Sequence, residues 1–236
     1  MSAFPFAAVL FDCDGVLVDS ETITNTVLAA MLGELGWQLS VDEAMKIFVG
    51  KTVMDEAPLI EAKTGFRITP AWLDIFRERR NAALERDVTA IDGIVATVAA
   101  LHAQLDGGIA VASGADRVKV RLQLAKIGVL EYFEGRIFSG HETPRNKPHP
   151  DVYLAAAAGL GVEPSRCAVI EDTVTGATAG RAAGATVFGY SPGEKGHSPK
   201  QALRAVGVAD VFEDMAALPA LLTGWQRRSQ GAGIRD

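Results

Sequence analysis

Four runs of apolar residues in this chain carry no polar alternation: "FAAVLF" (6–11), "GIAVA" (108–112), "CAVI" (167–170) and "ATVFGY" (185–190). A strand with one wet face alternates apolar and polar residues, so unbroken short runs read as strands buried on both faces, the habit of parallel sheets. "RIFS" (136–139) is a weaker fifth. Helical patterns lie between most of them. Over Asp92 to Gln104 the spacing puts Ile94, Val98, Leu101 and Leu105 on one face, and a second pattern runs from Asp116 to Ile127. "PDVYLAAAAGL" opens on Pro150, which suits a first helical turn. The small-residue segment "TGATAGRAAG" (175–184) suits close packing on a sheet. Strand and helix in alternation predict a doubly wound α/β core.

Residues 20–89 break that rhythm, with several helical patterns and no convincing strand. Ile23, Val27, Leu28, Met31, Leu32 and Leu35 form an apolar stripe that stops near Gly36. Ser40 and Glu43 make a capping box for a second helix ending around Gly50. A third pattern, Thr52 to Thr64, contains Pro58 and is expected to kink or split there. Thr69-Pro70 starts a fourth, with Trp72, Ile75, Phe76 and Leu84 inward. The expected division is a core of residues 1–18 and 90–224, a helical insertion of residues 19–89, and a flexible polar tail of residues 225–236.

Composition removes several classes. With 48% hydrophobic and 22% charged residues the chain is an ordinary globular one, and a net charge of −6 without a Lys/Arg cluster argues against a nucleic-acid surface. No apolar run approaches the ~20 residues a membrane helix needs. The start, "MSAFPFAAVLFDCDG", lacks the basic opening of a signal peptide. Two cysteines, Cys13 and Cys167, are too few for a disulfide scaffold or a structural zinc site. The expectation is a reduced cytoplasmic protein, monomer or small homo-oligomer.

In open α/β sheets ligands bind beyond the carboxyl ends of the strands. After the first run come Asp12, Cys13, Asp14 and Gly15, after the second Ser113 and Gly114, and after "CAVI" Glu171, Asp172 and Thr173; Lys147 sits in the loop "HETPRNKPHPD" after the weak strand. Four segments thus bring two acid pairs, a hydroxyl and an ammonium to one sheet edge. Asp12 and Asp14, two apart, point to the same side of an extended backbone. With Glu171 and Asp172 they form a hard oxygen cluster without His or thiolate partners, which suits Mg²⁺. A carboxylate also serves as a nucleophile toward phosphorus, and Ser113, nearby backbone N–H groups and Lys147 suit a phosphate's oxygens.

This set resembles the haloacid dehalogenase superfamily, in its phosphatase and β-phosphoglucomutase-like branch. "FDCDGVLVDSE" matches the first motif, "VASG" the second, "NKPHPDVY" the Lys-Pro-x-Pro-Asp form of the third, and "VIEDTVTG" the acidic fourth. All four stand in order, each at a strand end, and the helical insertion falls where this branch carries its cap. The resemblance implies that Asp12 is the nucleophile and Asp14 the acid that protonates the leaving oxygen, then the base that activates water. It implies that Asp12, the Asp14 backbone carbonyl and Asp172 bind Mg²⁺ with Glu171 as helper, and that Ser113 with Gly114, and Lys147, anchor the phosphate. Asp19, Ser20 and Glu21 read as a hinge into the cap, with substrate contact by Glu21 as the alternative; Lys51 is the best cap candidate for substrate contact.

Other residues read as structural. Cys13 is expected to point into packing, Thr173 and Gly176 to start a helix, and His141, His149 and His197 to be surface or loop residues. Arg77, Arg79 and Arg80 read mainly as a solvated face, and the loop 191–200 as lying near the pocket mouth without a required role. Asp14 counts against the dehalogenase and phosphonatase chemistries, which lack it. The nearer alternative is a β-phosphoglucomutase-like sugar phosphomutase. Its His ten residues after the second Asp is Thr24 here, and its Lys-Gly-x-Ser-Arg cap segment reads "VGKTV" (49–53). Water is the expected acceptor, and a small sugar phosphate or sugar-acid phosphate the expected substrate.

Overall fold

The computed structural model describes residues 4–193 and 196–225. Six strands form one parallel sheet: β1 (Ala8–Phe11), β4 (Ile109–Ser113), β5 (Ile137–Ser139), β6 (Cys167–Glu171), β7 (Thr186–Tyr190) and β8 (Asp210–Phe212), in the spatial order β5-β4-β1-β6-β7-β8. β1 is flanked by β4 and β6, so the strand order reverses around it. A crevice opens there at the carboxyl ends.

The unbroken apolar runs are explained by two faces. Val9 and Phe11 of β1 pack with Ile94, Val98 and Leu101 of α5 (Ile94–Gln104) and with Val120 and Leu124 of α6 (Arg117–Lys126). Ala8 and Leu10 point the other way, toward Val152 and Tyr153 of α7 (Asp151–Gly159) and Ala177 and Ala179 of α8 (Val174–Ala182). Gly180 shows why α8 is rich in small residues: a Cβ there would crowd Val187 and Val169. The first helical pattern begins at Ile94 instead of Asp92, because Gly93 takes the left-handed conformation just before it. β8 went unpredicted, being three residues long with an exposed end.

Residues between β1 and β4 hold four helices, α1 (Glu21–Glu34), α2 (Val41–Phe48), α3 (Ala57–Thr64) and α4 (Pro70–Asp87), around a separate apolar cluster of Leu28, Met31, Leu32, Phe48, Ile60 and Phe76. The Ser40/Glu43 capping box is formed, and Thr69 caps α4 through the Trp72 N–H. The Thr52–Thr64 pattern splits and does not kink: residues 53–56 are turns, and α3 starts at Ala57 with Pro58 in its first turn, where no N–H is needed. Ile75 is not inward but 46% exposed, because α4 turns Phe76 and Leu84 to the interior. A two-residue antiparallel ribbon, β2 (Val18–Asp19) with β3 (Thr89–Ala90), ties the chain where it leaves for the helices to where it returns. Arg80 of α4 is also corrected: it is buried and pairs with Asp116 at the start of α6, at 2.8 Å.

Trp225 packs edge-on against Phe188, so the first residue of the expected tail is anchored; residues 226–236 lie outside the described residues. No described helix is long and apolar enough to cross a membrane.

Candidate active site

Backbone pairing places the two acid-bearing strand ends side by side: the Asp12 N–H donates to the Ile170 carbonyl at 3.0 Å, one residue before Glu171. Lys147, arriving from the loop after β5, donates to Asp12 Oδ1 and to Glu171 Oε1, each at 2.7 Å, and its ammonium lies 4.8 Å from the centre of the Tyr153 ring. The Tyr153 hydroxyl donates to the same Glu171 oxygen at 2.7 Å. Glu171 Oε2 accepts from the Asp172 and Thr173 N–H groups and the Thr173 hydroxyl, so both its oxygens are engaged. Thr173 also caps α8 through the Gly176 N–H. Gly176 must be small, because a Cβ there would fall on the Glu171 carboxylate.

Oxygens of Asp12, Glu171 and Asp172 come within 4.8 Å of one another, and all three side chains are buried. Asp172 Oδ2 is paired with His197 Nδ1, while its Oδ1 is buried without a partner. The expectation for His197 is therefore corrected. Its loop turns the ring inward onto a buried carboxylate, and the pairing outweighs burial to lift the imidazole to about 9. Gly15, with φ +82°, has no room for a Cβ beside the Asp172–His197 pair.

The Asp14 carboxylate is turned away from this trio. Its Oδ1 accepts from the Gln123 side-chain amide and the Lys119 ammonium, each at 2.8 Å, and from the Ser20 hydroxyl. Burial acts to raise the Asp14 carboxyl, but the Lys119 charge and these hydrogen bonds outweigh it and hold it at about 2. Lys119 is itself buried, and Asp14 and Glu21 keep it protonated against that burial. At Asp12, burial pushes the carboxyl well up, Lys147 opposes, and Glu171, Asp172 and Asp14 add to the rise. Lys147 stays protonated because Asp12 and Glu171 overcome its own burial. Asp12 and Glu171 share the Lys147 ammonium, and Asp172 pairs with His197, so three buried carboxylates face two cationic groups, an excess of negative charge that favours a further cation.

Ser113 and Gly114 close β4 on the same crevice. Ser113 is buried and its hydroxyl accepts from the Ala115 N–H at 3.0 Å; the Gly114 carbonyl accepts from the Asn146 amide at 2.8 Å. Cys13 lies between the two acids but faces the core, its thiol against Gln123. Above the strand ends a cavity of about 460 Å³ is roofed by the four-helix insertion. Glu21 and Lys51 both line it. The Lys51 ammonium is held by Glu56 at 2.5 Å, and burial, with Asp14 adding, lifts the Glu21 carboxyl to about 7. Sequence reasoning missed Lys119, Gln123, Asn146 and His197. For Lys119 and Gln123 a signal existed: they stand four apart in a helix that starts three residues after Gly114, so its first turns had to face the crevice.

The profile of the haloacid dehalogenase-like hydrolases matches residues 6–184. The chain belongs to that family. It is 31% identical over 182 residues to the 6-phosphogluconate phosphatase of Escherichia coli, covering 77% of this chain and 80% of that one. To the fructose-1-phosphate phosphatase of the same organism it is 28% identical over 184 residues, 76% of this chain and 93% of the relative. A family hydrolase from Deinococcus radiodurans, solved with bound phosphate and sodium, is 41% identical with a TM-score of 0.72, over 93% of this chain and 96% of that one. This haloacid dehalogenase-like hydrolase therefore carries its acid cluster at the strand ends of a Rossmann-like sheet.

Proposed function

We propose that this hydrolase is a Mg²⁺-dependent phosphatase acting on a small phosphorylated metabolite, with residues 19–89 as a cap over the core of residues 1–18 and 90–224. The observation that carries the reading is the buried Asp12–Lys147–Glu171 chain beside an Asp172 oxygen that has no partner. Relatives named for 6-phosphogluconate and fructose 1-phosphate support the substrate class.

An all-oxygen donor set with an orphaned buried carboxylate oxygen fits Mg²⁺. Asp12, Asp172 and the Asp14 backbone carbonyl would hold it. Glu171, whose oxygens are taken by five donors, would work beside the metal by fixing Lys147. When bound, Mg²⁺ offsets charge on the phosphoryl oxygens and holds them near Asp12.

In the reaction proposed, an Asp12 carboxylate oxygen attacks phosphorus, the bond to the leaving oxygen breaks, and that oxygen takes a proton from Asp14. Water then attacks the aspartyl phosphate, Asp14 takes the water's proton, and phosphate leaves Asp12. Lys147, Ser113 and the backbone at Gly114 would hold the phosphoryl oxygens throughout. As found, Asp14 is ionised, which is the form needed in the second step. To serve in the first it must take up a proton, against the Lys119 charge and the hydrogen bonds that keep it ionised.

The test is phosphate release from p-nitrophenyl phosphate with Mg²⁺. Turnover should vanish with chelator, and Asp12→Asn should lower it by roughly 10³-fold or more while leaving the thermal transition in place. Turnover that persists in Asp12→Asn sinks the covalent mechanism.

A further inference from the structure

Part of the cavity wall is built from the first turns of α1, and two of its polar atoms are unsatisfied. Asn25 is 1% exposed and lines the cavity. Its amide N–H₂ donates to the Glu21 carbonyl at 2.9 Å and to Glu21 Oε2 at 3.2 Å, which fixes the amide so that Oδ1 is the free atom. That Oδ1 is buried and meets no donor, and neither does Thr24 Oγ1 one residue earlier, also on the cavity. A buried polar atom left unpaired carries its full desolvation cost, so two on neighbouring residues of a cavity wall mark a place where a ligand completes them.

Charge narrows what that ligand is. Every ammonium and guanidinium among the described residues lining the cavity already has a carboxylate: Lys51 has Glu56, Arg77 has Asp74, Arg80 has Asp116, Lys119 has Asp14, and Lys147 has Asp12 and Glu171. The wall beside Asn25 carries Glu21. A second anionic group reaching it would lose its hydration and face an acceptor oxygen and a carboxyl, without a free cation. A hydroxyl suits it, donating to Asn25 Oδ1 and exchanging a hydrogen bond with Thr24.

We infer that the phosphate ester this site takes carries a neutral polyol or sugar, its remote hydroxyls bound by Asn25 and Thr24, and carries no carboxylate or second phosphate at that end. The inference rests on the phosphatase reading and narrows it. A matched pair of esters tests it: sorbitol 6-phosphate and 6-phosphogluconate differ at the end remote from phosphorus, where one has a hydroxymethyl group and the other a carboxylate. With Mg²⁺, the sorbitol ester should be split with a kcat/KM at least ~10-fold higher. Asn25→Leu should lower that value at least ~10-fold and bring the ratio of the two esters toward one. Thr24→Val, a change of nearly equal volume, should act the same way to a smaller extent.

Equal rates, or a preference for 6-phosphogluconate, overturn the inference, above all if Lys51→Ala removes that preference. An undiminished ratio in both Asn25→Leu and Thr24→Val overturns it as well. Hydrolysis of p-nitrophenyl phosphate with neither ester split rejects the inference and leaves the phosphatase standing. Failure to split p-nitrophenyl phosphate rejects both.

Discussion

At the carboxyl ends of the strands, Lys147 holds Asp12 and Glu171 at 2.7 Å each, and Glu171 accepts from four further donors; on α1, lining the same cavity, Asn25 Oδ1 and Thr24 Oγ1 meet none. The two walls face the same space and treat polar atoms in opposite ways. Reacting groups gain from being fixed before substrate arrives, since an oriented group needs no rearrangement in the transition state. A wall that chooses among leaving groups gains from hydrogen bonds that only the right ligand completes. The difference also separates tolerance to mutation: the strand-end wall should fail by collapse, and the α1 wall by loss of selectivity.

The largest effect on stability should follow from removing the shared ammonium. Lys147→Met leaves Asp12 and Glu171 buried and mutually repelling, and should cost about 3–5 kcal/mol in urea unfolding with chelator present. A loss below about 1 kcal/mol would mean that the strand-end wall does not depend on this pair. Gly176→Ala comes next. Its methyl group would displace the Glu171 carboxylate, at a cost of about 1–3 kcal/mol in the same titration, with reduced turnover because Lys147 loses its anchor. An alanine that leaves both stability and turnover unchanged would show that Glu171 moves freely.

A smaller effect belongs to the pair that ties the helical insertion to the core, Arg80 of α4 with Asp116 at the start of α6. Burial alone would raise the Asp116 carboxyl, but the Arg80 charge and hydrogen bonds from Lys119 N–H and Arg80 bring it below its ordinary 3.8. A carboxyl lowered on folding stabilises above its unfolded value, and that contribution is lost as pH falls through the folded value. Asp116→Asn should therefore cost about 1–2 kcal/mol at pH 7, and the gap to the parent should narrow as the pH falls below the ordinary carboxylate range. A gap that is constant with pH would assign the cost to packing. At the bottom of the scale, Arg121→Ala breaks an exposed pair with Glu134 and should leave the thermal midpoint unchanged within error.

Much of the strand-end wall is legible in the amino-acid sequence. The period-free runs announced buried parallel strands, and parallel strands put their carboxyl ends on one edge, so Asp12, Ser113, Lys147 and Asp172 could be brought together from order alone. What stayed hidden came from segments without such a period. His197 reaches Asp172 from a loop 25 residues downstream. Lys119 and Gln123 fall in a helical pattern whose spacing alone does not say that its first turns face the crevice. Arg80 looked like one of several solvated cap arginines, and only the docking of α4 on α6 buries it. The unpartnered atoms of α1 could not be read from residue types, because Asn and Thr are ordinary in helices and only their surroundings leave them unpaired.

The central claim is that Asp12 forms a covalent bond to the phosphoryl group. The most direct test is rapid acid quenching during turnover of p-nitrophenyl phosphate with Mg²⁺, followed by peptide mass spectrometry. The account predicts a single phosphoryl adduct on Asp12, absent from Asp12→Asn. Turnover at full rate with no adduct on Asp12, or with the adduct on another residue, would contradict it.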